Sequence, residues 1–189
     1  MTNHNYLIEL FLYFAKFPQR DGISPLFNVG SSNIDGYSQL QAQIMNMKEH
    51  SLMDIKNYIF GANIASVTSR INNITSGSDY LFVDFGEIDC NVDNKNTFHD
   101  SSRLAITVAY RLKNFSGDII EQMLADNHSL QKITDIRKRM YADQRCNVGL
   151  DMLSDTHQLL PFSSLEMSSI GWSLIFTREG HDTFNIKGR

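Results

Sequence analysis

The sequence predicts an α+β fold, two layers deep, in which an antiparallel (mixed) sheet of about four strands carries helices packed on one face. Three observations carry that reading. From Arg103 to Leu112 the residues alternate strictly: Leu104, Ile106, Val108, Tyr110 and Leu112 fall on one side, and Arg103, Ala105, Thr107, Ala109 and Arg111 on the other. A period of two is what a half-buried strand needs. Asn114-Phe115-Ser116-Gly117 then breaks the strand, and Asp118 can cap a helix whose third residue is Glu121. Near the end, Ile170, Trp172, Leu174 and Phe176 alternate with Gly171, Ser173, Ile175 and Thr177, which makes Ser168 to Arg178 a second amphipathic strand.

Taken in order, residues 5 to 17 are apolar and aromatic on all sides and predict a short helix. Gln19 to Gly36, with Asp21-Gly22, Pro25, Gly30 and Ser31-Ser32-Asn33, predicts a loop or linker. Tyr37, Leu40, Ile44 and Met47, followed by Leu52, Ile55 and Ile59, carry a helical period to about Phe60. A kink or restart is expected near His50, where Ser51 and Asp54 could cap a second half, and Gly61 ends the segment. Ala62 to Ile71 is expected to be a first strand and Asn72 to Asp79 a turn. Tyr80 to Cys90 is a second strand, apolar on both faces in its first half as a central strand would be. Asn91 to Asp100 is a polar hairpin loop. Behind Asp118, the residues Leu130, Ile133, Thr134, Arg137 and Met140 continue a helical face to about Ala142. Asn147 to Ser164 reads as irregular and His181 to Arg189 as a polar tail. Short connections make the three strands antiparallel neighbours. The chain thus divides into an aromatic N-terminal arm and linker (1–36), an α+β domain (37–180) and a tail (181–189).

With 189 residues, 42% hydrophobic and 20% charged, the chain is long enough for one domain with a real core and too apolar for disorder. A net charge of −4 provides no general attraction to nucleic acid or to an anionic membrane, so neither is an expected partner. Cys90 and Cys146 are too few for a disulfide framework or a thiolate zinc site and point to a reducing, cytoplasmic setting. The apolar N-terminal segment lacks a basic start, carries Glu9 in its middle, and is shorter than the ~20 residues that span a bilayer. The sequons at Asn73, Asn114 and Asn127 are then chance matches.

Catalytic signatures are sparse. Asp84-Phe85-Gly86 matches the metal-binding tripeptide of protein kinases, yet no Gly-rich loop precedes it and no catalytic-loop pattern accompanies it. Asp84, Glu87 and Asp89 are the better candidates for holding a divalent cation. Glu87 and Asp89 share a strand face while Asp84 lies on the other, so a common site requires a bulge at Gly86. A two-metal nuclease would want a lysine where this chain has Asp89. A plainer reading is a strand end running into solvent, where carboxylates deter edge pairing. His4, His50, His99, His128, His157 and His181 show no zinc spacing, although three of them adjoin or nearly adjoin an aspartate. No Gly-x-Ser-x-Gly elbow supplies a nucleophile, and Cys146 reads as a small buried thiol. Arg137-Lys138-Arg139 with Arg145 is the basic cluster, best read as a solvated last helical turn. No phosphate-cradling motif occurs, so neither a cofactor nor a catalytic residue is expected. The aromatic segment leaves two readings open: a core helix, or an arm whose Phe11, Tyr13, Phe14 and Phe17 dock on a neighbouring subunit.

Three segments carry a likeness in layout: Leu81-Phe82-Val83-Asp84-Phe85 as a central strand, Arg103 to Tyr110 followed by Asp118 to Leu124, and Ser168 to Phe176 near the end. In order and spacing, the stretch from Tyr37 to Arg178 resembles the tail-terminator (tail-completion) proteins of long-tailed bacteriophages, through layout and not through a motif. The chain departs from them in its N-terminal residues and in the long stretch before the last strand. The resemblance implies a non-enzymatic virion structural protein of a phage or prophage, made in the cytoplasm of the producing cell. Such a protein forms a homo-oligomeric ring, a hexamer among the sizes implied, that caps the tail tube and takes part in head–tail joining. Its partners would be copies of itself, the tail tube and head-connector proteins, with the loops Asn72 to Asp79 and Asn91 to Asp100 suited to axial contacts. Two alternatives belong to other classes. A metal-dependent enzyme built on Asp84, Glu87 and Asp89 predicts cation-dependent stabilisation lost on Glu87→Ala. A host-encoded interaction module predicts a monomer or dimer in place of a ring.

Overall fold

The structure, a computed structural model of the chain, describes residues 6–27, 32–92, 94, 98–115, 117–146 and 156–181. The ends of the expected arm and tail (1–5, 182–189), linker residues 28–31, most of the tip of the 91–100 loop, and 147–155 of the stretch read as irregular lie outside the described residues.

The alternating segment read first from the sequence is the longest strand, β4 (Phe98–Arg111). Along one of its edges runs β6 (Ser169–His181), antiparallel from the pair His99 and His181 to the pair Arg111 and Ser169. Its other edge is shared in succession by β2 (Ser78–Asp84) and β3 (Ile88–Val92), both antiparallel to it. Outside β2 lies β1 (Asn57–Gly61), and outside β6 lies β5 (His157–Ser164), giving six strands in the order β1-β2-β4-β6-β5 with β3 beside β4. Among the described residues only β1 and β2 run parallel, which demands a crossover. Helix α3 (Ile64–Asn72) supplies it.

Helices α1 (Tyr6–Ala15) and α4 (Ile119–Arg145) lie on one face of the sheet, and α2 (Tyr37–Met45) borders α1. The main core forms there: Leu10 and Phe14 of α1 and Ile133, Ile136 and Met140 of α4 meet Leu81, Val83, Leu104, Ile106, Val108, Leu174 and Phe176. On the opposite face Val67 and Ile71 of α3 cover Ile59, Tyr80, Phe82 and Ala109. The even-numbered residues of β4 and β6 thus line the larger core, as the alternation requires.

The α+β class and the strands at 80–84, 103–111 and 169–178 agree with the sequence reading, as do both sides of the Asp118 junction. Asp118 Oδ1 accepts from the backbone N–H of Ile120 at 2.8 Å and of Glu121 at 3.4 Å. Five expectations are corrected. The sheet has six strands where about four were expected, and helices cover both faces where one was expected. Residues 62–71 are a helix: Ile64, Val67 and Ile71 recur every three to four residues, and Asn63 caps the first turn by accepting from Ser66 N–H at 2.8 Å. The expected long helix to Phe60 stops at Met45, because the segment after it pairs with the end of α1 (Leu52 N–H to Lys16 C=O, 3.1 Å; Met53 N–H to Phe17 C=O, 2.8 Å) and then enters β1. Tyr58-Ile59-Phe60 suits a strand by propensity, and the helical spacing of Leu52, Ile55 and Ile59 was coincidence. Finally, part of the stretch read as irregular is β5, with Pro161 on an edge strand that tolerates a missing N–H.

Candidate functional site

The three carboxylates singled out in the sequence stand around a sharp break. Gly86 has φ of +50°, and a Cβ there would lie 2.3 Å from the carbonyl oxygen of Arg103, so the turn between β2 and β3 admits only glycine. Asp84 folds back into this turn, its Oδ1 accepting from Gly86 N–H at 2.9 Å. Half-burial pushes its carboxyl upward, and the bond from Gly86 pulls it partly back. Glu87 and Asp89 are exposed beyond the break. The kink that a shared site would need is present, yet among the described residues no three His, Cys, Asp or Glu side chains gather closely enough to hold a metal ion.

The aromatic residues offered as interface anchors are differently placed. Phe14 and Phe17 are fully buried in the chain's own core, and Phe11 packs at 5.3 Å on Tyr58 and at 5.4 Å edge-on to Phe60. Tyr13 donates to Asp143 Oδ2 at 3.0 Å, and burial, reinforced by that carboxylate, pushes its hydroxyl far above the ordinary range. Lys16 reaches the same oxygen at 2.5 Å, and its ammonium sits 3.9 Å over the Tyr13 ring. Arg139 Nε meets the other oxygen of Asp143 at 2.8 Å while its Nη2 donates to both oxygens of Glu49. The helix carrying these aromatics is therefore an internal element, bolted to α4 by Asp143. Within the single chain, Phe14 and Phe17 are buried as they would be in a core helix.

The basic cluster is only partly free to meet a ligand. Arg139 is committed as described, Lys138 pairs with Asp135 at 2.8 Å, and Arg137 Nε donates to His157 Nε2 at 2.7 Å. Cys146, expected to be buried, is exposed, as is Cys90.

What the sequence reading missed lies at the start of α4. Ile119, Ile120, Met123 and Leu124 are all more than half exposed, Ile119 at 77%, and Leu165 in the β5–β6 turn is exposed at 74%. Backbone pairing of Leu112 with Ser168 brings that turn to the end of β4, just ahead of α4. At 100° per residue, the core-facing positions Ala125, Ser129, Ile133, Ile136 and Met140 point roughly opposite to this quartet. The first turns of α4 thus direct four large apolar side chains away from the core, a pattern legible in the sequence as a helix start whose apolar residues lie on the wrong side for a solvated surface.

A second apolar feature lies outside β1. Phe11, Leu26, Phe27, Tyr37, Leu40, Tyr58 and Phe60 line a groove of about 460 Å3, with Arg70 and Asn73 among its polar lining. The Tyr37 hydroxyl is buried there and makes no hydrogen bond among the described residues. Among the described residues no helix is long and apolar enough to cross a membrane. Set against protein-family models, curated proteins and solved structures, the chain matches none of them, so its own surfaces carry the functional reading.

Proposed function

We propose that the chain is a structural component of a phage or prophage tail, a terminator that closes as a homo-oligomeric ring on the tail tube and contributes to head–tail joining. The observation that carries this reading is the apolar start of α4 formed by Ile119, Ile120, Met123 and Leu124. The chain fills a large core and still leaves these four big apolar side chains side by side in water, which marks a surface meant to be covered. The order of elements adds support. The three segments on which the resemblance rests become β2, β4 and β6, side by side, with α4 in contact with the latter two. A stiff body of this kind meets the physical demand on a ring subunit, because closure multiplies any error in the contact angle.

The test is mass in solution, by light scattering coupled to gel filtration over a wide concentration range, with negative-stain images of the largest species. A discrete ring, or a concentration-driven shift toward one, is expected. A strict monomer or a closed dimer at the highest concentration overturns the proposal and favours an interaction module.

A further inference from the structure

We infer that the apolar end of α4 seats in the β1-side groove of a second copy of this chain, so that copies join head to tail. The inference rests on the ring reading above and names the contact within it. The two surfaces match in chemistry. One is a convex set of aliphatic side chains, Ile119, Ile120, Met123 and Leu124; the other is a concave aromatic and aliphatic wall that includes Phe11, Phe27, Tyr37, Leu40 and Phe60.

They also match in charge. The first turn of α4 carries Asp118 and Glu121 beside the aliphatic quartet, and a helix N-terminus is where carboxylates are favoured. The groove lining includes Arg70, an exposed cation in the last turn of α3. Seating the quartet in the groove brings these opposite charges to the same rim, where they fix orientation more than they add affinity.

The two patches occupy different parts of the molecule. The quartet follows the end of β4, whereas the groove lies outside β1, the edge strand two places away in the sheet. A contact between unlike patches is heterologous: every open row of copies keeps one unused patch of each kind, and association continues until a ring closes. Pro161 within β5 blunts the other edge of the sheet, which leaves side-chain docking favoured over strand-to-strand addition there.

The experiment blocks each patch separately. Leu124→Asp places a charge in the exposed quartet, and Leu40→Asp places one in the groove wall. Each variant alone is expected to be monomeric where the wild type is oligomeric. Their equimolar mixture is expected to give a 1:1 dimer and nothing larger, because one intact quartet and one intact groove remain. Arg70→Glu, an exposed and structurally mild change, is expected to weaken assembly by about tenfold or more, the equivalent of ~1.4 kcal/mol. Glu121→Arg in the same chain should recover part of that loss. Circular dichroism and the thermal midpoint of each variant report folding independently. Wild-type rings that persist in Leu124→Asp and in Arg70→Glu overturn this contact and leave the ring reading standing. A homodimer of either blocked variant overturns the heterologous geometry. A wild type monomeric at every concentration overturns the ring reading itself, and the contact with it.

Discussion

At Asp84 a single side chain holds a turn together at an electrostatic cost. Its Oδ1 accepts the Gly86 N–H, which fixes the break between β2 and β3, but half-burial disfavours the charge and raises the carboxyl above its ordinary value. A folded-state value above the unfolded one means that the contribution to stability is fully present below the unfolded value near pH 4 and is lost as pH rises through the folded value. Asp84→Asn keeps an amide oxygen for the Gly86 N–H and removes the charge. The thermal midpoint at pH 7 is therefore expected to rise, with the gain shrinking to nothing near pH 3. A lower midpoint at pH 7 would show that the charge itself is used, and a midpoint that then also rises with added Mg2+ or Mn2+ in the parent protein would return the carboxylates to consideration as a cation site. Legibility at this scale followed chemistry that is local in sequence. Asp118 was readable as a cap because its partners lie two and three residues away, whereas Asn63 caps α3 by the same chemistry and was hidden inside a segment read as a strand.

Between elements, the decisive interaction is the carboxylate of Asp143, which ties α1 to the last turn of α4. Lys16 and Asp143 are both almost completely buried, Tyr13 donates to the same carboxylate, and the Arg139 guanidinium pairs with its other oxygen. A buried pair of this kind contributes modestly in net terms, because desolvation offsets attraction, yet removing one member strands the other. Asp143→Ala is expected to cost about 3–5 kcal/mol, and the double variant Lys16→Met/Asp143→Leu clearly less than that single change. Urea unfolding of the two variants measures the difference; a double variant as unstable as Asp143→Ala would mean that the charges are not what couples the helices. Nothing in the sequence announces this pairing, since its partners are 127 residues apart. The elements themselves were legible where one period dominated. The strict alternation of β4 and β6 survived intact, while α3 was lost because three apolar residues in nine positions can be fitted to either period, and β5 because Leu159-Leu160-Pro161-Phe162 follows neither.

Over the whole molecule, the boundary drawn in the sequence at residue 36 separates parts that the core joins. Leu10, Phe14 and Phe17 are completely buried in one core with residues of β2, β4 and α4, and Lys16 and Phe17 anchor the irregular segment at Leu52 and Met53 through their carbonyl groups. The apolar character of residues 5–17 was visible from the start, but an amphipathic stripe was not, because Leu7 and Ile8 on the exposed side of α1 are as apolar as the buried Tyr6, Leu10 and Phe14. The same reasoning separates the two apolar surfaces of the chain: aromatics near the N-terminus are packed within its own fold, and the aliphatic quartet at the start of α4 is left exposed. A chain beginning at Gln19 puts this to the test. Truncating a large buried apolar side chain costs about 2–5 kcal/mol, so losing three of them with the Lys16 pair reaches or exceeds the ~5–15 kcal/mol that holds a domain folded. The truncated chain is expected to lose cooperative thermal unfolding and near-UV circular dichroism, whereas Leu124→Asp keeps both and loses only assembly. A truncated chain that still melts cooperatively near the full-length midpoint would restore α1 to the status of an appended arm, and Phe11, Tyr13, Phe14 and Phe17 would again be candidates for contact between subunits.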